Sequence, residues 1–153
     1  MSVSKCVLDC DPGHDDFAAI ILLLCYPSLD VQFISTSHGN QSVNKTYQNT
    51  RRTLNLIKRA DQIPVYRGFS TPLVRKSLAA AEIHGVSGLG GCDWSDIDAT
   101  MPRNPALNLL GYETEDELCP TDFYRHLHGL LQTVKDGERF DIILPKCSEH
   151  IDS

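Results

Sequence analysis

Short apolar runs of strand length alternate along the first seventy residues with longer segments of helical pattern. KCVLDC (5–10) is a short buried-strand pattern closed by the turn pair Pro12-Gly13. FAAIILLLCY follows, apolar nearly all round, and must stop before Pro27. It predicts a buried helix opening near Asp15, with Asp15 or His14 as its cap and an acidic first turn at the positive end of the helix dipole. VQFISTS (31–37) predicts a second strand, Gly39-Asn40 a turn, and Ser42 the cap of a polar, amphipathic helix over 43–60. IPVYRG (63–68) predicts a third strand. The middle of the chain, GVSGLGGCDW and then DATMPRNPALNLLGYETEDE, is rich in Gly, Pro and polar residues and reads as loop. Thr121-Asp122 opens a helix in which Phe123, Leu127, Leu130, Leu131 and Val134 share a face, with His126 and His128 turned to solvent. FDIIL (140–144) is a fourth buried strand, and PKCSEHIDS after it fits neither pattern. Strand–helix–strand order implies α/β architecture, a parallel open sheet with right-handed crossovers.

Composition narrows the class. At 153 residues, 41% hydrophobic and 22% charged, the chain has the length and content of one globular domain. A net charge of −6 and no basic run argue against a nucleic-acid partner or an anionic membrane. The longest oily stretch is half of the ~20 residues that a membrane span needs, and MSVSKC lacks a signal-peptide pattern. Six cysteines with no C-x-x-C pair read as reduced core thiols, which places the protein in the cytoplasm.

Chemistry concentrates in LDCDPGHDD, where Asp9, Asp11, Asp15 and Asp16 fall within eight positions. Residues two apart on a strand point the same way, so Asp9 and Asp11 project together, and Asp15 and Asp16 return at the start of the next helix. Ligands bind beyond the carboxyl ends of strands in open α/β sheets, and the four carboxylates are expected to converge there. Such a set either takes up protons or binds a cation, and an all-oxygen set suits Ca²⁺ or Mg²⁺. An EF-hand is excluded, because its Gly and Glu positions hold His14 and Ile20. A divalent-metal phosphohydrolase with Asp9 as nucleophile is an alternative reading of D-x-D after a first strand.

LDCDPGHDD, then ISTSHGNQS, PVYRGFSTPLVR and IHGVSGLGG, resemble in order the inosine–uridine preferring nucleoside hydrolases, N-ribohydrolases with a Rossmann-like core. The resemblance runs over about 5–94, weakens over 95–139 and returns at FDIIL. It implies hydrolysis of the bond between ribose and a nucleobase, with a ribonucleoside as substrate and Ca²⁺ as cofactor. Carried over by motif position, Asp11 and Asp16 bind Ca²⁺, and Asp11 is also the base for the attacking water. Asp15 holds a ribose hydroxyl, Asp9 orders the cluster, Asn40 contacts the ribose, and His84 sits near the leaving base. Members of the family are often homo-oligomers.

After FDIIL the family continues with a Thr-Gly-x-x-Thr-Asn loop, where this chain has PKCSEHIDS. The expectation is therefore a C-terminally truncated core: 1–144 as the N-terminal part of a nucleoside hydrolase domain and 145–153 as a non-matching tail. A frameshift, retained intron or early stop would produce such a break. With the later ribose and calcium contacts missing, weak calcium binding and reduced turnover are expected; a non-catalytic remnant of the family is the first alternative, and the phosphohydrolase using Asp9 the second.

Overall fold

The structure, a computed structural model, describes residues 3–72, 74, 76, 80–134 and 140–143. Leu144 and the whole of 145–153 lie outside the described residues, as does most of 73–79. The elements are β1 (Ser4–Cys10), α1 (His14–Cys25), β2 (Leu29–Thr36), α2 (Val43–Leu56), β3 (Val65–Arg67), α3 (Ala81–His84), α4 (Ser95–Ala99), α5 (Pro105–Leu110), a 3₁₀ turn (Glu115–Glu117), α6 (Pro120–Thr133) and β4 (Phe140–Ile143). The four strands form one parallel sheet in the order β3-β2-β1-β4, as the alternation of patterns predicts. The direction of strand addition reverses at β1, so the end of β1 lies at a topological switch point.

The core is the oily part of the strands. Cys6, Val7 and Leu8 of β1, Phe33 and Ile34 of β2, and Val65 and Tyr66 of β3 are all buried. Register places Asp9 opposite Ser35 and Cys10 opposite Thr36, so the carboxylate turn leaves the sheet beside the polar end of β2. On α2, Thr46, Thr50 and Thr53 are buried although polar, because each hydroxyl donates to a carbonyl of the preceding turn.

Several expectations are corrected. Helix α1 is not buried all round: only Asp16 and Ile20 are fully buried, while Leu22 is 70% and Tyr26 59% exposed. Among the described residues its main packing is on α2 and β2. Cys25 at its end is exposed rather than a core thiol; Cys6 and Cys10 are buried as expected, and Cys147 lies outside the described residues. Gly13, not His14 or Asp15, is the N-cap, without a side-chain cap bond. Helix α2 ends at Leu56 rather than at 60, and Lys58 follows with a positive φ of 58°. The third strand is three residues long.

The middle segment is not plain loop. Pro105 at the first turn of α5 follows Asn104, whose side chain caps Ala106 N–H at 3.0 Å. His126 does not face solvent. Its ring stacks on Phe33 at 4.5 Å between centroids, and its Nδ1 meets the Tyr66 hydroxyl at 2.5 Å. Partial burial holds its pKa below the usual histidine value. His128 is exposed, as expected.

Candidate active site

Three residues, Asp11-Pro12-Gly13, join β1 to α1, and this short turn folds the acidic residues onto one another. Asp16 sits in the first turn of α1 and its carboxylate accepts the backbone N–H of Asp11 at 2.9 Å. From the end of β2, the backbone N–H of Asn40 donates to the Asp11 carboxylate at 2.7 Å, and the Asn40 side-chain amide donates to the Asp11 carbonyl at 3.0 Å. Gly39 runs so close beneath that a β-carbon there would overlap the Asp11 carboxylate. Asp11 is thus gripped from both flanking segments. Asp9 turns instead to the Ser35 hydroxyl, which donates to its carboxylate. A cleft of about 280 Å³ opens beside Asp9, between Ser37 and His38 on one side and Phe69, Phe123 and Tyr124 on the other.

Electrostatics link the four. Asp9, Asp11 and Asp16 all have pKa values raised, first by burial and further by a neighbouring carboxylate. Asp16 is pushed up to about 6 by burial and by the charges of Asp11 and Asp15, against the bond from Asp11 N–H. Asp11 is eased downward by the Asn40 N–H and by His84. A carboxyl with a raised folded-state pKa stabilises the fold fully below its unfolded value of 3.8, and that contribution is lost as pH rises through about 6. Asp16→Asn keeps an acceptor for Asp11 N–H and removes the charge. Its Tm should equal the parent's near pH 4 and exceed it by about 3–6 °C above pH 7, after allowance for solvent screening at the rim. Thermal melts from pH 4 to 8 read this, and a Tm gap that does not widen with pH would sink it.

His84 closes the other side of the turn. Its ring lies where a β-carbon on Gly13 would be, and stacks on the His14 ring at 5.5 Å between centroids. The two Nδ1 atoms are 3.3 Å apart, and the His14 backbone N–H points at His84 Nδ1 at 3.4 Å. His14 is therefore a partner of His84 rather than a cap. The loop after His84 turns through Gly85, Gly88, Gly90 and Gly91, all at positive φ. Trp94, at the end of that loop, lies 6.3 Å from Phe17 and 6.0 Å from the Arg52 guanidinium, over the outer side of α1 and α2.

The structure brings together Asp11, Asp15, Asp16, Asn40 and His84, with Asp9 one step aside on Ser35. Reasoning from sequence missed Ser35, Gln41, Lys45 and Asn49. Lys45 and Asn49 lie four apart on one side of α2, Gln41 just precedes its cap, and all three reach the His84 loop.

Among the described residues, Arg51, Arg52, Arg67 and Arg125 pair with Glu115, Asp98, Asp116 and Asp122, not with the rim carboxylates. No three His, Cys, Asp or Glu side chains among the described residues already surround a point where a metal could sit. The donor chemistry nonetheless fits a hard cation: partly buried, mutually repelling carboxylates without a basic partner are what Ca²⁺ takes, alongside hydroxyl and water oxygens.

Comparison with known proteins places this arrangement. RihA of Salmonella enteritidis PT4, a pyrimidine-specific ribonucleoside hydrolase, is 49% identical over 114 residues, 74% of this chain and 36% of that protein. RihA of Salmonella arizonae is 53% identical over 85 residues, 56% of this chain and 27% of that protein. The plant nucleoside hydrolase PpNRh1 superposes with a TM-score of 0.68 at 27% identity, over 92% of this chain and 39% of the other. A purine-preferring ribonucleoside hydrolase from Gardnerella vaginalis gives 0.66 at 25% identity, over 92% and 40%. The chain spans about a third of the length of the curated relatives it matches. The family described as "Inosine-uridine preferring nucleoside hydrolase" matches residues 6–135. That match takes in every element from β1 to α6 that builds the carboxylate rim, and on it the chain belongs to the inosine-uridine preferring nucleoside hydrolase family.

Proposed function

We propose that the rim built on Asp11 hydrolyses the N-glycosidic bond of ribonucleosides, giving ribose and free base, in nucleoside breakdown or salvage. The observation that carries this reading is the setting of Asp11: a carboxylate with a raised pKa, oriented by Asn40 and Asp16, within electrostatic reach of His84. A base works best when its pKa approaches the working pH, and burial moves Asp11 that way. In the step, the water oxygen bonds to C1′, its proton passes to Asp11, and the C1′–N bond breaks with the electron pair going to the base. His84 lies on the side where the leaving base is expected and would hydrogen-bond to it. Asp15, exposed at the rim, would accept a ribose hydroxyl, as would the Asn40 side-chain oxygen, since the Asn40 amide nitrogen is committed to Asp11. Asp9 orders the cluster from Ser35. The anionic rim favours the oxocarbenium-like character that develops on the ribose.

Asp11 and Asp16 would hold Ca²⁺, which when bound lowers the pKa of water and orients the ribose diol. The relatives of higher identity are named pyrimidine-specific, so uridine and cytidine are the substrates of choice. Buried Cys6 and Cys10 suit a reducing cytoplasm. Among the described residues no helix is long and apolar enough to cross a membrane.

The test is free ribose released from uridine, cytidine and inosine by the purified chain, with Ca²⁺ and after chelation. Release from the pyrimidine nucleosides that stops on chelation and returns with Ca²⁺ is the expected result. A folded, monodisperse chain that releases no ribose from any of the three overturns the reading.

A further inference from the structure

We propose that Asn49 and Lys45 of α2 are positioning residues, which hold the His84 loop against the carboxylate turn and so set where His84 stands relative to Asp11. This rests on the ribonucleoside reading above for its consequence in catalysis, but not for its geometry.

Three side chains spaced four apart meet three consecutive carbonyls of the loop. Gln41 donates to Gly85 O at 2.8 Å, Lys45 to Val86 O at 2.6 Å and Asn49 to Ser87 O at 3.0 Å. Lys45 also donates to the Gln41 side-chain oxygen at 3.2 Å, which ties the first two together. Asn49 reaches further: the same amide nitrogen donates to the carbonyl of Pro12, between Asp11 and Gly13, at 3.3 Å. One buried side chain therefore bridges the turn that carries Asp11 and the loop that carries His84. Its oxygen is buried and has no hydrogen-bond partner among the described residues. Flipping the amide would aim that oxygen at two carbonyls, so the orientation is imposed by the two loops.

The backbone agrees. Gly88 has a φ of +83°, and a β-carbon there would come within 2.8 Å of the Asn49 amide nitrogen and 3.1 Å of Gln41 Cγ. Gly90 has a φ of +68° and leaves room for the His14 ring, whose Nε2 a β-carbon would approach at 2.8 Å. The loop is shaped to lie on Asn49 at one point and on His14 at another. His84 stands at the head of this loop, its carbonyl accepting the Gly90 N–H at 3.2 Å, and Asn40, which orients Asp11, belongs to the same segment as Gln41. Displacing a reacting group by as little as an ångström can cost about 10²-fold in rate, so a clamp of this kind acts on kcat.

Lys45→Met removes one clamp at a partly exposed position, and Asn49→Asp sets a carboxylate against two carbonyls. Two readouts apply to the full chain: the NMR contact between the His14 and His84 rings, and kcat against KM for ribose release from uridine. Lys45→Met should weaken the ring contact and lower kcat about tenfold, with KM within about twofold and Tm close to the parent's. Lys45→Arg should restore both, and Asn49→Asp should have the larger effect. An unchanged ring contact in Lys45→Met overturns the proposal, as does a fall in kcat that Lys45→Arg fails to rescue. A parent chain that releases no ribose overturns the ribonucleoside reading instead, and the ring contact still decides the clamp.

Discussion

Replacing Asp11 by asparagine is expected, on the proposed reading of the rim, to lower ribonucleoside turnover by about 10³-fold while leaving the chain folded. The contacts explain both halves. Asp11 accepts the Asn40 N–H at 2.7 Å, and an asparagine oxygen at the same place can accept it too. The Asp11 carbonyl and N–H, bonded to Asn40 and Asp16, belong to the backbone and are untouched. What disappears is the charge and the capacity to take a proton from water. Because burial disfavours that charge in the folded state, its removal should leave Tm unchanged or raised near neutral pH. The measurement is ribose release from uridine with thermal melts of the same samples. Turnover above about a tenth of the parent's would remove Asp11 from the role of base.

Asn104 should show the largest loss of stability. It is fully buried, and its amide nitrogen donates to Val65 O at 2.7 Å and to the Tyr47 hydroxyl at 2.8 Å. Its oxygen accepts from Val65 N–H at 3.1 Å and from Ala106 N–H at 3.0 Å. Strand β3 is an edge of the sheet, and this one side chain completes both polar groups of Val65 much as a neighbouring strand would. Alanine would leave buried donors and acceptors unmet, each costing about 1–3 kcal/mol. For Asn104→Ala, a total of about 4 kcal/mol and a fall of about 10 °C in Tm are expected. Asn104→Asp keeps the acceptor but sets a fully buried carboxylate against Val65 O, so its loss should be at least as large. A drop below about 2 °C for alanine would show that the segment is held by other contacts.

The Asn104 contacts also mark where reading the chain failed. DATMPRNPALNLLGYETEDE looks like loop because it is rich in Gly, Pro and polar residues, yet Asn-Pro is also a helix opening, and Asn104 with Pro105 uses it so. His126 failed for a related reason. Its spacing from His128 excluded a shared face correctly, but only packing revealed that Phe33 and Tyr66 stand opposite it. Helix α1 failed in the other direction: its oily sequence predicted burial on all sides, and Leu22 and Tyr26 are exposed among the described residues. Hydrophobicity says what a side chain would gain by burial, not which element is there to cover it.

The parallel α/β alternation, the strand-end location of the acidic cluster and the family are all legible along the chain. These are local properties: apolar runs, turn residues and a motif whose parts are adjacent along the chain. The tertiary structure alone decided that Asp9 belongs to Ser35 while Asp11 belongs to Asn40 and Asp16, and that Asn49 joins two segments 75 residues apart at their far ends, Pro12 and Ser87. Such pairings depend on sheet register and on how closely glycines let backbones approach, and neither is written in the spacing of any one segment. LDCDPGHDD says which groups are present; the fold assigns Asp9, Asp11 and Asp16 their partners, because burial leaves a polar group only the partners that packing provides.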